Sequence, residues 1–217
     1  MSQGPHAWLG LPPEGARRVY TFLFDPSRYL HPERAARLVP PGLVSDLGSA
    51  LIGGLGLDPE PPLDLRKLSH RAALLPLPGL AKVGWFIALR AHAPRLKRVV
   101  RRVDLDAFGQ SLDAQDWAFV MAQPAPPANA ELTPARPEET ASWRALGWRA
   151  LEAASRALEP GVGSRLALKL PLPVMDDREI NPDAALAAME AVYPAAVEAW
   201  DAQWDSAWVA DTELEPA

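Results

Sequence analysis

Apolar residues return along this chain mostly at spacings of three and four, with prolines standing between the runs, and that period belongs to helices. Leu43, Leu47, Leu51 and Leu55 predict a helix over residues 41–57, weakened by Gly48, Gly53, Gly54 and Gly56. Leu65, Leu68, Ala72 and Leu75 share a face in residues 63–75, entered through Pro61 and Pro62. Residues 78–92 carry Leu80, Val83, Phe86, Ile87 and Leu89 with little polar face, which predicts a buried helix ended by Pro94. A cationic helix over residues 95–103 and another over 113–121 follow, the second taking Trp117, Phe119, Val120 and Met121 into the core. Residues 140–158 place Trp143, Leu146, Gly147, Leu151, Ala154 and Leu158 on one face, with Glu138 and Glu139 at the positive end of the helix dipole. Past Asn181-Pro182, a cap followed by proline, Leu186, Met189, Tyr193, Val197, Trp200, Trp204 and Trp208 form a stripe of about six turns at 3.6 residues each, kinked by Pro194.

Two stretches depart from this period. In "SRLALKLPLP" Leu166, Leu168, Leu170 and Leu172 alternate with Ala167 and Lys169, and residues 19–24 alternate more loosely. They predict one short two-stranded β element, residues 19–24 beside 165–172, within an otherwise helical protein. The expected fold is mainly α: a single compact helical domain over residues 1–217, the first 17 residues flexible, a proline-rich loop at 123–137, and an acidic helical segment at 176–217. No internal repeat is present.

Composition narrows the function. Cysteine is absent, which excludes disulfides and thiolate chemistry and suits a reducing compartment. Residues 1–15 lack the layout of a secretory signal, and the most apolar stretch, 72–89, is interrupted by Pro76, Pro78 and Lys82, so a soluble protein is expected. Residues 176–217 hold eleven acidic side chains against Arg178 alone, which leaves the rest net basic although the total is −5. That balance disfavours non-specific nucleic-acid binding.

Chemistry finds little purchase. His6, His31, His70 and His92 do not fall at metal-ligand spacings, G-x-S-x-G is missing, and the glycines at 53, 54 and 56 lack the Lys-Ser/Thr of a phosphate loop. Asp25, His31 and Glu33 invite an acid-base reading, but close sequence neighbours seldom converge on a substrate, and a structural corner explains them better. There Asp25 caps a short helix, Pro26 and Pro32 open helices, Tyr29 and Leu30 point inward, and Arg34 and Arg37 stay solvated. Two features read as candidate partner surfaces. Arg95, Lys97, Arg98, Arg101 and Arg102 form either a solvated face or a dock for an acidic partner or lipid headgroups. Trp200, Trp204 and Trp208 form either core or interface.

"YTFLFDPSRYLHPERAARL", together with "RLALKLPLP" far downstream, resembles the SctK family of type III secretion systems, the YscK and PscK type of sorting-platform protein. The resemblance rests on Asp25, Pro26, Tyr29, Leu30 and His31, and on Arg165, Leu166, Leu168, Leu170 and Pro171. It implies a non-enzymatic helical adaptor at the cytoplasmic face of the bacterial inner membrane. Such an adaptor links the cytoplasmic domain of the SctD-type ring protein to the SctQ-type pod protein, with no cofactor. The basic helix is then expected to face one partner and the acidic C-terminal helix the other. A secretion chaperone or another small acidic protein-binding module is the alternative.

Overall fold

Proline marks where helices begin, because the first N–H groups of a helix have no partner within it and a residue without one loses nothing there. In the computed structural model, which describes residues 10–38, 47–99, 102–124, 135–172 and 179–208, proline occupies the first turn of α1 (Pro13–Phe24) and α2 (Pro32–Leu38). After α3 (Leu47–Gly54) and α4 (Leu68–Leu74), it does so again in α5 (Leu77–Leu96). α6 (Arg102–Phe108), α7 (Ala114–Ala122) and α8 (Thr140–Ala157) start without it, whereas α9 (Pro160–Lys169) and α10 (Pro182–Asp201) start with it. Short 3-10 turns fill Pro26–Arg28, Pro137–Glu139 and Trp204–Trp208. The expected Asn181 cap is present: its side chain accepts the Ala184 N–H at 2.9 Å.

The protein is mainly α, and the described residues contain no strand. Three long helices, α5, α8 and α10, pack against one another and carry the centre of the core: Phe86 and Leu89, Trp143 and Leu151, Met189 and Tyr193. Between α5 and α8 the backbones touch. A Cβ built on Gly147 would lie 2.3 Å from the Gly84 carbonyl oxygen, so only glycine fits at this crossing. α9 packs on α8 and α4, α7 covers one side of α5, and α1 reaches α4 and the C-terminal 3-10 turn.

Several expectations change. Neither stretch expected as a strand is one: residues 19–24 end α1, 165–169 end α9, and 170–172 follow as irregular chain. In α9 the buried face is Val162, Arg165, Leu166 and Lys169, a helical stripe that hydropathy hides because two of its members are cations. In α1 the buried side is Gly15, Val19, Phe22 and Leu23, while Tyr20 is exposed and lies tilted against Phe24 with ring centroids 5.1 Å apart, an apolar pair on the wrong face for a simple count. Pro94 does not end α5, which runs on to Leu96, because the proline lies in the last turn and withholds one N–H from the exposed Arg90. The cationic helix over 95–103 is therefore not one element: Arg95 lies in the last turn of α5, a turn follows at 97–98, and α6 begins at Arg102.

Helix α3 covers only part of 41–57, the rest before Leu47 lying outside the described residues, and α4 is shorter than 63–75. Met121 is exposed rather than core, since Val120 takes the inward position of α7. The helical stripe of tryptophans breaks after Asp201, leaving Trp204 and Trp208 in the 3-10 turn, and α10 continues through Pro194. Residues 13–17, expected to be flexible, form the first turns of α1. Most of the proline-rich stretch 123–137, and residues 176–178 and 209–217 of the acidic segment, lie outside the described residues.

Candidate functional site

The two stretches that carry the family resemblance are bonded to each other. The last carbonyls of a helix have no partner within it, and here each helix end is completed by the other stretch. Arg165 of α9 is fully buried and spreads its guanidinium over the end of α1. Its Nε donates to the Phe22 carbonyl at 3.1 Å, its Nη2 to that of Leu23 at 3.0 Å and its Nη1 to Gly161 at 3.1 Å. Tyr29 adds its hydroxyl to the Phe22 carbonyl at 2.9 Å.

In return the His31 N–H donates to the Leu168 carbonyl at 2.9 Å, and Arg34 donates to those of Leu170 at 2.8 Å and Pro171 at 3.2 Å. Arg34 also pairs with Glu152 at 3.1 Å, and the Leu172 N–H donates to Glu33 at 2.9 Å. Arg34, expected in solvent, is thus a strut, whereas Arg37 is exposed. Asp25 accepts from the Ser27 hydroxyl and Arg28 instead of capping the 3-10 turn with its side chain as expected, His31 Nδ1 accepts the Glu33 N–H at 3.3 Å, and Glu33 holds Leu172, so the acid-base candidates are spent on structural bonds. Pro26 is buried, Leu30 half-buried, and Leu166, Leu168 and Leu170 lie in the core.

Sequence reading passed over Lys169, one turn beyond Arg165. It is 3 % exposed, and its ammonium donates to the carbonyls of Ala73 at 2.6 Å and Leu75 at 2.9 Å. It also lies 4.9 Å from the ring centres of both Phe22 and Tyr29. Among the described residues no carboxylate pairs with it, and burial pushes it down to about 7. The signal available was a lysine one turn from an arginine inside an apolar run.

Another unpredicted cluster joins α4 to α9. Buried His70 accepts the Asp64 N–H on Nδ1 at 2.8 Å, which leaves Nε2 to donate to Glu159 at 2.7 Å, while Lys67 binds the other Glu159 oxygen. Partial burial pushes the Glu159 carboxyl up, but the bonds from Lys67 and His70 outweigh it and hold the group at about 2.

The cationic run is dispersed. Arg95 pairs with Glu139 at 2.9 Å, Lys97 donates to the carbonyls of Met121 and Gln123, and the Nε of Arg98 is buried with no hydrogen-bond partner among the described residues. Arg101 lies outside the described residues, and Arg102 opens α6.

The tryptophans divide by role. Trp204 and Trp208 are buried, whereas Trp200 is half-buried and lies against Gly79, where a Cβ would stand 3.0 Å from its ring. Trp200 is a wall between two clefts. The larger, about 680 Å³, holds Trp85, Trp148, Arg144 and the Lys82–Asp116 pair. That pair is bonded at 3.0 Å, with Asp113 3.7 Å from the same ammonium. The smaller, about 380 Å³, holds Arg17, Arg18, Arg28, Tyr29, Lys169 and Trp204. No group of three or more His, Asp or Glu side chains able to hold a metal occurs among the described residues, and no helix there is long and apolar enough to cross a membrane. Comparison of the chain with protein-family models, curated proteins and solved structures finds no match in any of the three.

Proposed function

We propose that this protein is a non-enzymatic adaptor of the SctK type. It works at the cytoplasmic face of the bacterial inner membrane, between the cytoplasmic domain of an SctD-type ring protein and an SctQ-type pod protein of a type III secretion system. What supports the reading is the reciprocal bonding of the two resembling stretches. Residues more than 130 positions apart bond across the two stretches, Arg165 to the last carbonyls of α1 and Arg34 to the carbonyl just past α9, so the motif holds together as one structural unit. An adaptor needs rigid surfaces, and polar complementarity across them sets partner choice and association rate.

The test is co-expression of the tagged chain with SctQ-type and SctD-type proteins from the same genome, followed by affinity purification and native mass measurement. Recovery of both partners with one monomeric chain is expected. Recovery of neither, or of a dimer holding an effector segment as a secretion chaperone would, overturns the adaptor.

A further inference from the structure

We propose that the smaller cleft, between α1 and the C-terminal tryptophans, binds a short acidic peptide segment of a partner protein. A carboxylate of that segment would sit against Lys169 and the arginine rim, and an apolar side chain against Trp200 and Trp204. The cleft rests on its own geometry and stands apart from the adaptor reading: it would bind such a peptide whichever assembly the protein serves.

Charge is the first ground. The lining carries Arg17, Arg18, Arg28 and Lys169 against Glu14 and Asp201, an excess of cations in a protein whose total is acidic. Two of the pairs that temper it are weak. Arg17 with Glu14 and Arg28 with Asp25 are pairs three residues apart whose arginine side chains are more than 70 % exposed, a class that contributes little and yields readily to a better partner.

Lys169 is the second ground, because its ammonium rests on carbonyl dipoles and ring faces with no counter-charge among the described residues. A buried cation of this kind gains most from an arriving carboxylate, since their attraction is weakly screened there. The third ground is preorganisation. The Arg18 guanidinium already lies 3.8 Å from the Trp204 ring centre and is bonded to Glu14 at 3.0 Å, so little side-chain freedom remains to be lost. The larger cleft lacks this character, since Asp116 and Asp113 already answer Lys82.

The choice leaves a protonation signature. Glu14, Arg17 and Arg18 line the cleft with Lys169 from α1, Arg28 from the 3-10 turn, Tyr29 just after it and Asp201 from α10, while Arg165 lies one turn before Lys169 on α9. The arginines stay charged, and burial pushes the Tyr29 phenol up, so it stays neutral. Lys169 is the group left to take a proton when a carboxylate arrives.

The probe is the blocked peptide acetyl-Glu-Leu-Glu-Phe-Glu-amide. The full chain is titrated with it at pH 8 by tryptophan fluorescence, and by calorimetry in phosphate and in Tris. Saturable binding with net proton uptake is expected. Replacing each Glu of the peptide by Gln should weaken binding about tenfold or more, the scale of a lost charge-assisted bond. The Arg17→Ala/Arg28→Ala double variant, changed only at exposed positions, should weaken it similarly, and Lys169→Met should remove the proton uptake. If Lys169→Met does not fold, the double variant decides alone. No binding, equal binding of the Glu and Gln peptides, or citrate binding as tightly as the peptide would each overturn the proposal.

Discussion

Lys169 brings an ammonium into a site that water hardly reaches, and the residues around it explain why it is tolerated. The carbonyls of Ala73 and Leu75 belong to the end of α4, where carbonyls lack helical partners, so the lysine completes α4 as Arg165 completes α1. The two cations differ in consequence. Arginine keeps its charge when buried, whereas a buried lysine titrates near neutrality. Folded Lys169 releases its proton near pH 7 and the unfolded chain holds it to about 10.5. Between those values the unfolded state binds more protons, so stability rises with pH across this window. Urea titrations at pH 7 and pH 9 should show the native chain gaining at most about 3 kcal/mol from this group. Lys169→Met should show a correspondingly smaller difference between the two pH values. An identical pH response in both proteins would mean that Lys169 is charged and satisfied throughout.

At the level of elements, crossings rather than propensities decide what each helix tolerates. Gly147 of α8 sits on Gly84 of α5 with no room for a methyl group, while Gly53 of α3 has nothing within 4 Å of the same position. Gly147→Ala must push two core helices apart, at a cost of about 2 kcal/mol or more, and the melting temperature should fall by about 5–10 °C. Gly53→Ala removes only backbone freedom and should raise it slightly. Equal small effects in the two variants would mean that α5 and α8 do not meet this closely. The helices α8 and α10 were legible because their apolar faces repeat at 3.6 residues over many turns, and α5 because its run between Pro78 and Pro94 is apolar on nearly every face. α9 was not, since Arg165 and Lys169 occupy core positions and break the pattern that hydropathy follows. The ends of α1 and α9 were recognisable as a motif but not as a joint, because nothing in either stretch states that it caps the other. The cleft was less legible still: Trp200 was in view, but Arg17, Arg18 and Lys169 reach it from two other helices.

For the molecule as a whole, α10 decides whether the rest can exist. It packs on both α5 and α8, burying Met189, Val192, Tyr193, Ala196 and Val197, and its end supplies Trp200 and Asp201 to the cleft. Tyr193 donates to Asp205 at 2.8 Å, and Arg18 lies over Trp204, so the C-terminal turn is fastened to α10 and to the first helix alike. A helix so placed cannot open alone, because leaving would expose the inner faces of two others. Limited proteolysis of the native chain should therefore spare residues 182–201, with cuts falling elsewhere first. Truncation after residue 181 should abolish the cooperative thermal transition rather than lower it. A truncated chain that still melted sharply would show that the core closes without α10. The cleft could then not depend on the global fold, and its tryptophan wall would be an attachment to a finished domain instead of part of one.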